Sequence, residues 1–167
     1  MGNLWGYMIL LIFLVLQSTI LHKIALEGAK PDLVLLAVVY LANKNGKMAG
    51  QTYGFVSGLI EDFLSVSPLG FNGFLNTIVG FLYGLTSETF FIDQVIIPMI
   101  MGGVATLIKG VGISFLAGLF NLENLHFNLF SITFLVEIGY NMVLAPFLFA
   151  LLGLFKGLSP KKQWEGL

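Results

Sequence analysis

Glu61, Asp62, Lys109 and Glu137 are ionisable side chains set in stretches otherwise apolar enough to sit in lipid. A charge at the centre of a bilayer costs about 3 kcal/mol unless it is paired or wetted. The chemistry open to such residues is therefore ion pairing, or the binding of a polar group drawn into the bundle. Counting ~1.5 Å per residue along straight helices places Asp62 ~21 Å from one membrane face, and Lys109 and Glu137 ~22 Å from it. The shared depth, in the outer half of the membrane, predicts that Lys109 is a common counter-ion for Asp62 and Glu137.

Asn141 joins this set through a row at i, i+4 spacing, Thr133, Glu137, Asn141 and Ala145, which turns one helix face inward. Asp62, Lys109, Glu137 and Asn141 are accordingly a candidate buried polar cluster or vestigial pocket. They line a pocket for a small polar ligand, or they hydrogen-bond helix to helix, the more common use of such residues in membranes. No catalytic set is present. There is no Ser-His-Asp arrangement, His22 and His126 stand alone in loops, and Glu61 and Asp62 point about 100° apart on a helix. The chain has no cysteine, so thiolate chemistry, disulfides and Cys-based metal sites are excluded, and no metal or cofactor is expected.

The elements that must position these residues are membrane helices. Hydrophobic types make up 57% of the 167 residues and charged types only 10%, far from the balance of a soluble domain. A net charge of -1 and scattered lysines offer no basic patch, which sets nucleic acid aside and leaves the lipid bilayer as the main surroundings. Six apolar runs predict an all-α polytopic membrane protein, a single transmembrane domain over residues 1–167. The spans fall at about 4–21, 31–42, 48–66, 71–85, 94–120 and 127–155. The first has no basic residue before it and no small-residue cleavage site after Leu21, so it reads as a retained span.

Between the spans the chain is punctuated by turn chemistry. Pro31 and Asp32 suit a helix start, proline for its fixed φ and the acid for the positive end of the helix dipole. The run that follows is short, and must thin the bilayer, lie within the bundle or gain a turn from its flanks. Asn43 to Lys47 is a strong turn signal. Pro68 and Gly70 break the chain between the third and fourth spans. Glycines 102, 103, 110 and 112 soften the fifth span and predict a kink or break near Lys109, and Pro146 predicts a kinked or tilted sixth.

Gly50, Gly54 and Gly58 fall at i, i+4 and i+8, a helix-packing groove whose next position is Asp62. The fourth span has its own row of Asn72, Asn76, Gly80 and Gly84, and is the natural close neighbour. With six spans, Lys44, Lys47, Lys156, Lys161 and Lys162 share the side of both termini, against Lys23 and Lys30 opposite. The excess of lysine predicts cytoplasmic termini.

The segments PDLVLLAVVYLA from Pro31, GKMAG from Gly46, GFVSGLIEDFLSVSPLGFN from Gly54 and EIGYNMVLAP from Glu137 resemble the rod shape-determining MreD family over nearly the whole chain. The most specific part is the row Gly54, Gly58, Asp62 followed by Ser67, Pro68, Leu69 and Gly70, with Glu137, Asn141 and Pro146 in support. The resemblance implies a multi-pass protein of the bacterial inner membrane, similar in fold to the six-helix substrate-binding subunit of energy-coupling-factor transporters. It implies no catalytic activity. The expected role is to bind an MreC-like single-span protein and to help organise or activate side-wall peptidoglycan synthesis, alongside MreB, RodA and a class B penicillin-binding protein. In that reading the small-residue grooves receive the partner's span. The alternative is a solute-binding transporter subunit with its ligand among the buried polar residues.

Overall fold

A computed structural model describes residues 2–19, 29–65, 67–87, 95–121 and 128–155. They form six helices, α1 (Gly2–Thr19), α2 (Leu33–Asn45), α3 (Lys47–Leu64), α4 (Phe71–Leu85), α5 (Ile96–Leu119) and α6 (Ile132–Gly153), with no strand among the described residues. Two of these, α5 and α6, at 24 and 22 residues, are long and apolar enough to cross a membrane. The loop histidines His22 and His126, the acids Glu88 and Asp93, and Lys23, Lys156, Lys161 and Lys162 lie outside the described residues.

The shortest helix is the one the others surround. α2 touches α1, α3, α4, α5 and α6, and every residue from Val34 to Asn43 is buried. A helix apolar on all sides has to be enclosed. Its two sides meet different partners. Leu35, Val39 and Ala42, at i, i+4 and i+7, pack on Val79 and Tyr83 of α4 and on Met101 and Ala105 of α5. Leu36, Val38 and Leu41 pack with Leu10, Phe13 and Leu14 of α1 and with Leu148 and Leu152 of α6.

Gly46 alone separates α2 from α3, with φ of 82°. Its missing Cβ permits that left-handed turn, so the expected turn at Asn43 to Lys47 shrinks to one residue as both helices run into it. α3 and α4 then pack backbone to backbone. A Cβ added at Gly50, Gly54 or Gly58 would overlap the carbonyls of Gly80, Asn76 or Asn72 respectively. The glycine groove therefore receives the small and polar row of α4, and is not an open surface for another protein's span. This corrects the expectation that it receives a partner, because the following helix of the same chain already fills it.

α5 runs unbroken from Ile96 to Leu119, without the break expected near Lys109. Gly102 accounts for part of the glycine content differently, since it lies close against the Asn141 carbonyl and Ala145 of α6. Pro146 sits inside α6.

Candidate functional site

Asp32 is the N-cap of α2, and its Oδ1 accepts the Leu35 N–H at 2.9 Å. An aspartate at this position satisfies a helix-end amide that would otherwise be orphaned. The same residue is buried, and its other oxygen, Oδ2, takes the Lys109 ammonium of α5 at 2.5 Å. Its backbone N–H donates to Asn141 Oδ1 of α6 at 2.9 Å. Asn141 Nδ2 in turn donates to Thr106 Oγ1 at 2.8 Å, and that hydroxyl donates to the Gly102 carbonyl at 2.8 Å. One capping residue thus ties the start of α2 to both long helices.

Glu61 is the second carboxylate near Lys109, with Oε2 at 3.7 Å from Nζ. That separation is an ion pair but not a direct hydrogen bond. Oε2 accepts from Asn76 Nδ2 of α4 at 2.8 Å, and Oε1 from Gln17 Nε2 of α1 at 3.4 Å. Gln17 Oε1 accepts the Val34 N–H at 3.1 Å, so its amide bridges Glu61 and the first turn of α2. Lys109 is buried between these two acids.

The structure separates the residues that depth alone groups together. Asp62 does not pair with Lys109. Its Oδ2 accepts the N–H groups of Gly70 and Gly73 at 2.9 and 3.1 Å, and its Oδ1 accepts the Asn72 N–H and side-chain amide, both at 2.9 Å. A carboxylate at the positive end of α4 satisfies several free amides at once and gains from the helix dipole. Glu137 likewise forms no ion pair with Lys109 within 4.0 Å. Asn141 is joined to Lys109 through Asp32. Pro68 and Gly70 form the turn that brings α4 back onto Asp62: the Pro68 carbonyl accepts the Phe71 N–H at 3.1 Å, and Gly70 has φ of 89°.

Counting residues along straight rods picks out Glu61 as a membrane acid and Asp32 as a helix start, but does not assign either of them, or Gln17 or Thr106, to the cluster around Lys109. The available signal for Asp32 is an acid directly before a run of ten apolar residues too short to span by itself. For Glu61 it is the 100° offset from Asp62, which sends Asp62 to the first-turn amides of α4 and Glu61 to the space between Lys109 of α5, Asn76 of α4 and Gln17 of α1.

A cavity of about 510 Å³ opens against this cluster. Its polar wall is made by Gln17 and Ser18 of α1, Glu61 of α3, Asn72 of α4, Lys109 of α5, and Lys30 before α2. These groups can bind and orient a charged molecule.

The family model for rod shape-determining protein MreD matches residues 3–155, which takes in every helix of the bundle but one terminal residue. The chain belongs to the MreD family. Membership assigns the protein a role in rod-shape determination in a bacterial membrane, in agreement with the two membrane-length helices. No curated protein and no solved structure matches the chain. Within this MreD-family chain, the Asp32–Lys109–Glu61 cluster joins α2, α3 and α5 through buried charges, and the cavity lies beside it.

Proposed function

We propose that the protein is a non-enzymatic, multi-pass component of the bacterial cell-elongation complex. It crosses the inner membrane six times with both termini cytoplasmic, and it binds an MreC-like single-span protein. Through that partner it helps organise or activate side-wall peptidoglycan synthesis, in company with MreB, RodA and a class B penicillin-binding protein. The observation that carries this reading is the family match over residues 3–155.

A partner's span must bind outside the α3–α4 contact, where the glycines meet α4. Exposed apolar faces outside it run along α1 (Leu4, Met8, Leu11, Ile12 and Val15) and along the two membrane-length helices, which offer the longest contact: Val104, Leu107, Val111 and Phe115 on α5, and Leu135, Val143, Phe147 and Leu151 on α6. Apolar side chains of this kind suit van der Waals packing of helices within lipid.

The test is purification of the tagged chain from membranes with its associated proteins. A single-span protein carrying a coiled coil and a periplasmic β domain is the expected companion. Cysteines placed at Val111 and Val143 should crosslink to that protein's span, whereas one at Ser57, buried on α3, should not. Recovery of an ATPase pair in its place would overturn the reading and favour a solute-binding transporter subunit.

A further inference from the structure

The cavity beside Lys109 has no part in the shape-determination reading, and its chemistry is specific. We propose that it binds a zwitterion bearing a primary ammonium and a phosphate, the chemistry of a phosphoethanolamine headgroup. At about 510 Å³ it falls within the ~300–1,000 Å³ typical of ligand pockets.

Its position suits a headgroup. Ser18 and Ser65 mark the C-terminal ends of α1 and α3, Lys30 precedes α2, and Asn72 is in the first turn of α4. The cavity therefore lies where four helix ends meet at one end of the bundle, with Lys109, from the middle of α5, as its deep wall. Lipid headgroups occupy that level of a membrane. Leu14 and Leu64 supply an apolar wall, and Leu64 is 62% exposed, so it leads from the cavity to the outer surface.

The charges select the ligand. Lys109 is already engaged by Asp32 at 2.5 Å. Glu61 is engaged by two neutral amides and stands 3.7 Å from the ammonium. A carboxylate has about four acceptor positions, so Glu61 retains capacity for the N–H groups of an incoming ammonium. Lys30 contributes a second positive charge to the wall, and its ammonium has three N–H donors, so a phosphate there shares it with the contact it already makes and forms charge-assisted hydrogen bonds. A purely anionic headgroup would meet Glu61 unfavourably. A quaternary ammonium would bring no N–H to it.

The experiment is native mass spectrometry of the full chain, stripped of lipid in detergent and offered equal amounts of phosphatidylethanolamine, phosphatidylcholine and phosphatidylglycerol. The ethanolamine lipid should be retained about tenfold over the other two, the effect of one charged hydrogen bond. Glu61→Gln should lower that retention about tenfold. Ser18→Trp, which fills the cavity from the exposed end of α1 and replaces none of the ion-paired side chains, should abolish it in a variant that still melts cooperatively. Free phosphoethanolamine is added as competitor. Displacement of the lipid shows that the headgroup alone is bound, and failure to displace shows that the glycerol and acyl parts are also needed; the zwitterion assignment stands in both cases. Equal retention of the three lipids overturns it, as does undiminished retention by a folded Ser18→Trp variant.

Discussion

Lys109 of α5 and Asp32, the cap of α2, meet at 2.5 Å inside the bundle. The contact joins the most buried helix to one of the two longest. Removing one partner of a buried pair strands the other charge, at about 3–5 kcal/mol, whereas removing both together costs much less. Asp32→Asn keeps an oxygen to accept the Leu35 N–H and so preserves the cap while deleting the charge. Asp32→Asn and Lys109→Met should each lower the thermal midpoint in detergent markedly, and the double variant should recover a large part of the loss. Strictly additive losses would show that the two charges are not coupled.

Two helix glycines, one in the α3 row and one in α6, make predictions of opposite sign. At Gly54 a methyl group would run into the Asn76 carbonyl, a backbone atom that cannot turn aside. Gly54→Ala should destabilise the protein by about 1–3 kcal/mol through overpacking. At Gly139 in α6 an added Cβ meets nothing within 4 Å, and Gly139→Ala should leave stability unchanged or raise it by up to ~1 kcal/mol through helix propensity. Denaturation of the two variants side by side checks the contrast. Equal behaviour would mean that α3 and α4 do not approach as closely as the structure has them.

Much of this packing was legible in the sequence, because it follows from spacing. The bounds of α4, Phe71–Leu85, coincide with the predicted fourth span, since SerProLeuGly and ThrSer punctuate both ends. The glycines of α3 and the Asn-Gly row of α4 are matched i+4 series, and matched small rows pack closely. The charge partners were not legible in this way. Depth along isolated rods gives Lys109 the partners Asp62 and Glu137. Asp32 reads there as a helix start at the membrane surface, because nothing local reveals that the first turn of α2 is enclosed by α1, α5 and α6. Asp62 has a strong local alternative in the free amides of the Gly70 turn, only eight residues away. Burial of α2 is a property of five neighbours at once, and its own residues only permit it.

That local role of Asp62 is testable. Asp62→Asn replaces one of two acceptor oxygens with an N–H donor, which then faces the amides of Gly70, Asn72 and Gly73. Amide exchange should quicken over Gly70 to Gly73 and stay unchanged around Lys109. Hydrogen exchange with mass detection measures both regions in one sample. Quickened exchange at Lys109 with none at the α4 start would return Asp62 to the charge cluster.

Asn141 is the link between that cluster and the long helices, and its two ends should be separable. Its Oδ1 accepts the Asp32 N–H and its Nδ2 donates to Thr106 Oγ1. Asn141→Leu removes both, leaving a buried backbone amide without an acceptor, and should cost about 1–3 kcal/mol. Thr106→Val removes only the hydroxyl and keeps the shape of the side chain, so its loss should be smaller. The Asp32 N–H remains satisfied in that variant, and the α2 start should keep its slow exchange. In Asn141→Leu the same start should loosen, because the cap then holds α2 to α5 through Lys109 but no longer to α6. Comparable exchange at Leu33 to Leu36 in the two variants would show that Asn141 acts only as packing between α5 and α6.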